Sequence, residues 1–185
     1  MTEAKIPRKR WTWAEYRHLT AIGILEDGKV ELVNGEIWCK VDKGFPHSAA
    51  VSRLLKAIAS TCDYDCLQLR SSVPLSKVSD PEPDLALLAH SLVYYLESDP
   101  GPSDVVFVAE VSDLTLCADL TIKCCLYGSA GIPAYWVVDI PNRLLHVFRS
   151  PNETGYAEET ILNTDEQVYP LAAPEKAVRV ADLLP

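Results

Sequence analysis

The run Val105-Val-Phe-Val-Ala-Glu-Val111 constrains this chain more than any other stretch. It is apolar and β-branched except at one position, which predicts a strand buried on both faces. Such a strand needs neighbours on either side and helices above and below it, so a mixed α/β architecture follows. The exception, Glu110, is the informative residue. A buried, unpaired carboxylate costs several kcal/mol, so Glu110 must meet a cation, hold a proton or stand at a site at the strand's end. A salt bridge to a neighbouring Lys or Arg is the plain alternative.

Other elements arrange themselves around that strand. Thr12 and Glu15 have capping-box spacing, which predicts a helix from Trp13 to about Ile22. Asn34-Gly35 lies between two β-prone runs and predicts a two-residue hairpin, with Glu31 and Val33 on one face of its first strand. Val51, Leu54, Leu55 and Ile58 form one stripe of a helix expected over Ser48–Ser60. Short strands are expected near Cys66–Leu69 and Pro83–Leu88, with a helical turn around Leu92–Leu96. A helix is expected over Leu116–Ala130, stopped by Gly131-Ile-Pro133, then a strand over Tyr135–Ile140 and another over Leu144–Phe148. The remainder reads as weak edge strands and a tail. At 185 residues the chain is expected to be one domain. Residues 1–46 would carry the N-terminal helix and hairpin, 47–149 the core, and 150–185 the edge strands.

Charge and cysteine content bound the partners. There are 26 Asp and Glu against 17 Lys and Arg, a net charge of −9. That argues against duplex binding over the whole surface, although Lys5, Arg8, Lys9 and Arg10 make the N-terminus locally basic. No apolar run is long enough to span a membrane and no signal-peptide h-region follows the N-terminus, so a cytoplasmic protein is expected. Cys62 and Cys66 have the spacing of half a zinc site, but structural thiols are the better reading because no second ligand pair stands nearby. A thiol enzyme using a Cys with His47 or His146 has no nucleophile motif behind it.

Two more residues join Glu110 as candidates. Asp84 closes Glu82-Pro83-Asp84 just before an apolar run, where a turn cap is its ordinary role. Lys123 lies on the helix after the Glu110 strand, with Asp119 and Tyr127 four residues to either side. An exposed Asp119–Lys123 pair is the competing reading there. Two carboxylates on neighbouring strands with a lysine suit phosphodiester hydrolysis: the carboxylates can hold Mg²⁺ and the ammonium can meet the transition-state charge. Glu31 would add an oxygen if the hairpin folds toward that end of the sheet. If Asp84 and Glu110 face each other at the ends of adjacent strands, their like charges should raise one of the two pKa values until a cation or Lys123 relieves them.

The order Glu31-Leu-Val-Asn-Gly-Glu-Ile37, Pro46-His47, Pro81-Glu-Pro-Asp-Leu-Ala-Leu87, Val108-Ala-Glu-Val-Ser-Asp113, Asp119-Leu-Thr-Ile-Lys123, Tyr127 and Gly131-Ile-Pro-Ala-Tyr-Trp-Val-Val-Asp139 resembles the Uma-type "putative restriction endonuclease" family. That family is a domain of unknown function within the PD-(D/E)xK nuclease superfamily, and the resemblance runs from Trp11 to Phe148. It implies a restriction-endonuclease-like core of helix, three strands, helix and strand, and an Mg²⁺-dependent (Mn²⁺ possible) DNA endonuclease. Asp84 and Glu110 match the metal ligands, Lys123 matches a catalytic lysine that has moved from position 112, here Ser112, to the following helix, and Glu31 matches a supporting acid. His47 matches a family histidine of unassigned role. The sequence departs from the family at Ile122 and at Arg70, which could pair with Glu110 or Asp84 and displace the cation. A catalytically degenerate binding or dimerisation module is the alternative. A homodimer is expected, both from the resemblance and from Trp11, Trp13, Trp38 and Trp136 as interface aromatics.

Overall fold

A computed structural model describes residues 8–185; Met1–Pro7, including Lys5 of the basic N-terminus, lie outside the described residues. Its centre is a six-stranded sheet in the order β3-β4-β5-β6-β7-β8, comprising β3 (Leu67–Leu69), β4 (Leu85–Leu88), β5 (Val105–Ser112), β6 (Ala134–Asp139), β7 (Leu144–Asn152) and β8 (Gly155–Asn163). All pairs are antiparallel except β5 with β6. That one parallel pair needs a crossover, and the helical segment 116–129 supplies it. The strand anticipated from its apolar run is therefore interior, as are β4 and β6.

Alternation along β5 divides the core. Phe107, Ala109 and Val111 pack with Ala50, Leu54 and Ile58 of helix α2 (Phe45–Ala59) on one face. Val108 packs on the other with Leu126, Tyr127, Tyr135 and Val137. Glu110 shares the second parity, so the strand's lone charge points under the crossover helix. A third, smaller cluster joins Tyr16 of α1 (Trp13–Ala21) to Val30 and Leu32 of the hairpin β1 (Val30–Val33) and β2 (Glu36–Cys39). The capping box at Thr12 and Glu15 is present. Asn34 and Gly35 both take positive φ, 50° and 77°, the backbone of a type I′ turn. The hairpin docks through Leu32 N–H to Asp80 O and Asp80 N–H to Leu32 O, at 3.3 and 2.7 Å. This brings Glu31 beside the segment that leads into Asp84.

Several elements differ from expectation. Helix α2 begins at Phe45 rather than Ser48, because Gly44 caps it and Pro46 suits its first turn. His47 is consequently inside the helix and buried instead of preceding it. The crossover helix is not continuous: α3 (Leu116–Ala118) passes through a π-helical turn at Asp119–Lys123 into α4 (Cys124–Ser129). A Cβ on Gly128 would lie 2.0 Å from Gly155 O, so only glycine lets α4 approach β8 this closely. Of the C-terminal strands expected to be weak, β8 is a nine-residue edge strand paired along β7, while Gln167–Val168 and Val178–Arg179 form a short two-residue pair of their own. The tryptophans make no exposed interface patch. Trp136 is fully buried, and Trp11, Trp13 and Trp38 are partly buried against the core.

Candidate active site

The π turn sets the position of Lys123. Its ammonium lies 2.9 Å from Glu110 Oε1 and 3.0 Å from Glu31 Oε1, joining the central sheet to the hairpin. One turn on, the Tyr127 hydroxyl donates to Glu110 Oε1 at 3.0 Å. Both contacts fall on Oε1, so Oε2 is the oxygen that would meet a further cation. Glu31 Oε2 accepts from the Glu82 N–H at 3.1 Å, and Lys40 bonds the Glu82 carboxylate. Asp119 does not pair with Lys123. It is buried and accepts at Oδ2 from Ser112 Oγ and Thr115 Oγ, both at 2.6 Å, which ties the end of β5 to the start of the π turn. The exposed Asp119–Lys123 pair of the competing reading is thereby excluded in favour of two buried networks.

These groups do not titrate as they would in water. Burial pushes the Glu110 carboxyl up to about 8 against the pull of Lys123, with Asp119, Asp84 and Glu31 adding to the rise. Like-charge repulsion from Asp84 was the expected cause and is a contributor, but desolvation comes first. Lys123 moves the other way. Burial opposes its charge, yet Glu110, Glu31 and Asp119 outweigh that and hold its pKa above the usual lysine range. Lys123 therefore keeps its proton.

Asp84 sits beyond the first residue of β4. Continuing the antiparallel pairing of Leu85 with Ala109 by one residue sets it opposite Glu110. Its two oxygens meet different partners. Oδ2 accepts from the Val111 N–H at 2.9 Å and from His47 Nε2 at 3.1 Å. Oδ1 takes Lys43 Nζ at 2.8 Å, with Arg70 Nε at 3.6 Å. Arg70 also reaches His47 Nδ1 at 3.3 Å. A carboxylate only accepts and a guanidinium only donates, so these partners assign the His47 tautomer with its proton on Nε2. Burial would raise the Asp84 carboxyl, but His47 and Lys43 reverse that and hold it well below the usual carboxylate range.

Both halves open into one cavity of about 740 Å³, whose walls include Glu31, Asp84, Glu110, Lys123, Lys43 and Arg70. The anticipated site residues thus line a single space. Arg70 meets Asp84 and not Glu110, so it does not bridge the two carboxylates. Lys43 and the anchoring role of His47 were not foreseen. Lys43 gives no periodic signal, while Gly44-Phe-Pro46 could have placed His47 inside a helix. As a cation site, the donor set is chemically suitable: carboxylate oxygens are hard ligands, and Mg²⁺ uses one or two of them while keeping several waters. Among the described residues, however, no group of three His, Cys, Asp or Glu is gathered in metal-holding geometry. The Cys62–Cys66 pair, too, simply packs against the core.

Comparison with known proteins agrees with this architecture. A crystal structure of "a putative nuclease belonging to DUF820" from Anabaena variabilis has a TM-score of 0.66 to this chain, covering 93% of it and 96% of the other at 18% identity. At that identity the likeness is one of fold. Among curated proteins, none matches the chain. No helix among the described residues is long and apolar enough to cross a membrane. A family model described as "Putative restriction endonuclease" matches residues 13–181, which is most of the chain, and the protein belongs to that Uma2 family.

Proposed function

We propose that this protein is a divalent-metal-dependent endonuclease hydrolysing phosphodiester bonds in DNA, with Mg²⁺ or Mn²⁺ as its ion. The observation that carries this reading is Lys123 buried between Glu110 and Glu31, on the wall of a cavity that Asp84 also lines. When bound, a divalent cation supplies charge that polarises a phosphodiester and acidifies an attacking water. Asp84 Oδ1 and Glu110 Oε2 are the oxygens proposed to hold it. Lys123 stays protonated and offers an N–H to the anionic transition state. Glu31 holds that ammonium in place, and Tyr127 fixes the rotamer of Glu110. Two-fold dimers suit enzymes that cut both strands of a duplex, and a homodimer is proposed on that ground alone. A reducing, cytoplasmic location is proposed from the six unpaired cysteines.

A plasmid-nicking assay with Mg²⁺ or Mn²⁺ tests the proposal, with Lys123→Ala run beside the wild type. Metal-dependent nicking that disappears in the variant supports it; nicking unchanged by the variant, or none with either ion, counts against it. The degenerate-module reading has an observation of its own, because Lys43 and Arg70 already neutralise Asp84. It predicts DNA or protein binding without metal and no cleavage under any ion.

A further inference from the structure

The two oxygens of Asp84 are held by groups of different mobility. On Oδ2 the donors are a strand N–H and a buried histidine within α2, neither of which can withdraw without disturbing the core. On Oδ1 the donors are Lys43 and Arg70, whose side chains are 30% and 48% exposed. Lys43 belongs to residues 40–44, a segment between β2 and α2 without regular structure. The same segment places Lys40 on Glu82 across the cavity. By contrast, the Lys123 side chain is 9% exposed, held within a helical turn between two carboxylates. One lysine is built in, and the other is tethered.

We propose that Lys43 is a tethered placeholder cation. It occupies Asp84 Oδ1 while no metal is bound, and an incoming divalent ion displaces it onto a substrate phosphate. A lysine suits both positions, because its ammonium is a compact charge on a flexible stem. Once displaced, it remains over a cavity also lined by Lys29 and Arg70, where an anionic phosphate would complete its pairing. The consequence is coupling: the metal frees a phosphate contact, and the phosphate keeps Lys43 from competing for the metal. By linkage, each ligand then strengthens the other to the same degree. The inference rests on the nuclease reading but concerns binding, so it can fail while that reading stands.

The experiment measures Mn²⁺ binding by the electron paramagnetic resonance of free Mn²⁺, without DNA, for wild type, Lys43→Met, Lys43→Arg and Glu110→Gln. Removing a competing, partly buried ion pair should tighten Mn²⁺ binding about fivefold in Lys43→Met. Lys43→Arg should stay near wild type. A second arm titrates a short DNA duplex with and without Ca²⁺. Ca²⁺ should tighten DNA binding by the wild type and do so much less for Lys43→Met, whose salt dependence should be shallower by about one phosphate contact. Unchanged or weaker Mn²⁺ binding by Lys43→Met overturns the placeholder, as does full Ca²⁺ tightening of its DNA binding. If the wild type binds Mn²⁺ and Glu110→Gln does not, the nuclease reading survives that failure. Binding of Mn²⁺ by neither wild type nor Lys43→Met would overturn both.

Discussion

Asp84, just before β4, and Glu110, on β5, stand opposite each other when the register of the two strands is continued by one residue, and their surroundings drive them in opposite directions. Asp84 is at the strand's entrance, where a backbone N–H, His47 and Lys43 converge on it and keep it ionised. Glu110 is deeper, under the crossover helix, and burial lifts it toward neutrality despite Lys123. Depth alone does not separate them, since both are almost fully buried. The difference is hydrogen bonding to the charged form, which Asp84 has on both oxygens and Glu110 has on one. Neighbouring carboxylates with separated pKa values are how a site obtains one permanent anion and one group that answers to a cation.

The strongest way to break this contrast is to remove Lys123. Lys123→Met leaves the Glu31 carboxylate buried without its cation and takes a hydrogen bond from Glu110, and should cost about 3 kcal/mol of stability by urea denaturation, together with cleavage. A loss near zero would mean that Glu31 finds another partner. Metal binding sharpens the contrast from the other side. Mn²⁺ or Mg²⁺ at ten to a hundred times its Kd should stabilise the fold by about 1.4 to 2.7 kcal/mol. Glu110→Gln should erase that gain in a thermal melt; a melt indifferent to either ion would favour the degenerate module.

How much of this was legible in the sequence depends on the range of the interaction. The Val105–Val111 strand announced itself because a double-sided apolar run has few other uses, and Glu110 stood out against it. The hairpin was equally plain, since Asn34 and Gly35 tolerate the positive φ that its turn requires. The π turn was hidden, because Leu116–Ala130 carries an uninterrupted helical pattern and the extra residue answers to tertiary contacts of Asp119 and Lys123. Lys43 could not be assigned to Asp84, 41 residues away, without knowing where its segment docks. The tryptophans misled for a related reason: aromatic content says nothing about which face a residue occupies, and Trp136 alternates into the core.

Smaller effects test Asp84. Asp84→Asn removes the charge that Lys43 and Arg70 answer while leaving an acceptor for the Val111 N–H. The loss should be about 1 to 2 kcal/mol, the scale of hydrogen bonds to a charged group less those that survive. Its pH dependence follows from the lowered pKa. The stabilisation is present above the unfolded value near 3.8 and is lost only as pH falls through the lower folded value. Wild type and Asp84→Asn should therefore converge in stability only in strong acid. Convergence near neutral pH would show that Lys43 and His47 do not hold the carboxylate as described.

The smallest effect at neutral pH belongs to Glu110→Gln, and it discriminates best. With a pKa raised to about 8, the side chain is mostly protonated at neutral pH, and glutamine reproduces both its shape and its neutrality. The substitution should then change stability by less than about 1 kcal/mol. The sign of the pH effect is opposite to that at Asp84. A carboxyl raised in the folded state contributes stability that is complete below its unfolded pKa, 4.5, and is lost as pH rises through about 8. Wild type should accordingly lose stability relative to Glu110→Gln between about pH 5 and about pH 9, read as a growing difference in Tm. Glu31 keeps Lys123 paired in the variant, so the lysine should not obscure that trend. A difference that stays flat, with the variant several kcal/mol weaker throughout, would mean that Glu110 is a permanent anion bound to Lys123. The two carboxylates would then be alike, and the site would hold two fixed ion pairs with no group left to answer a metal.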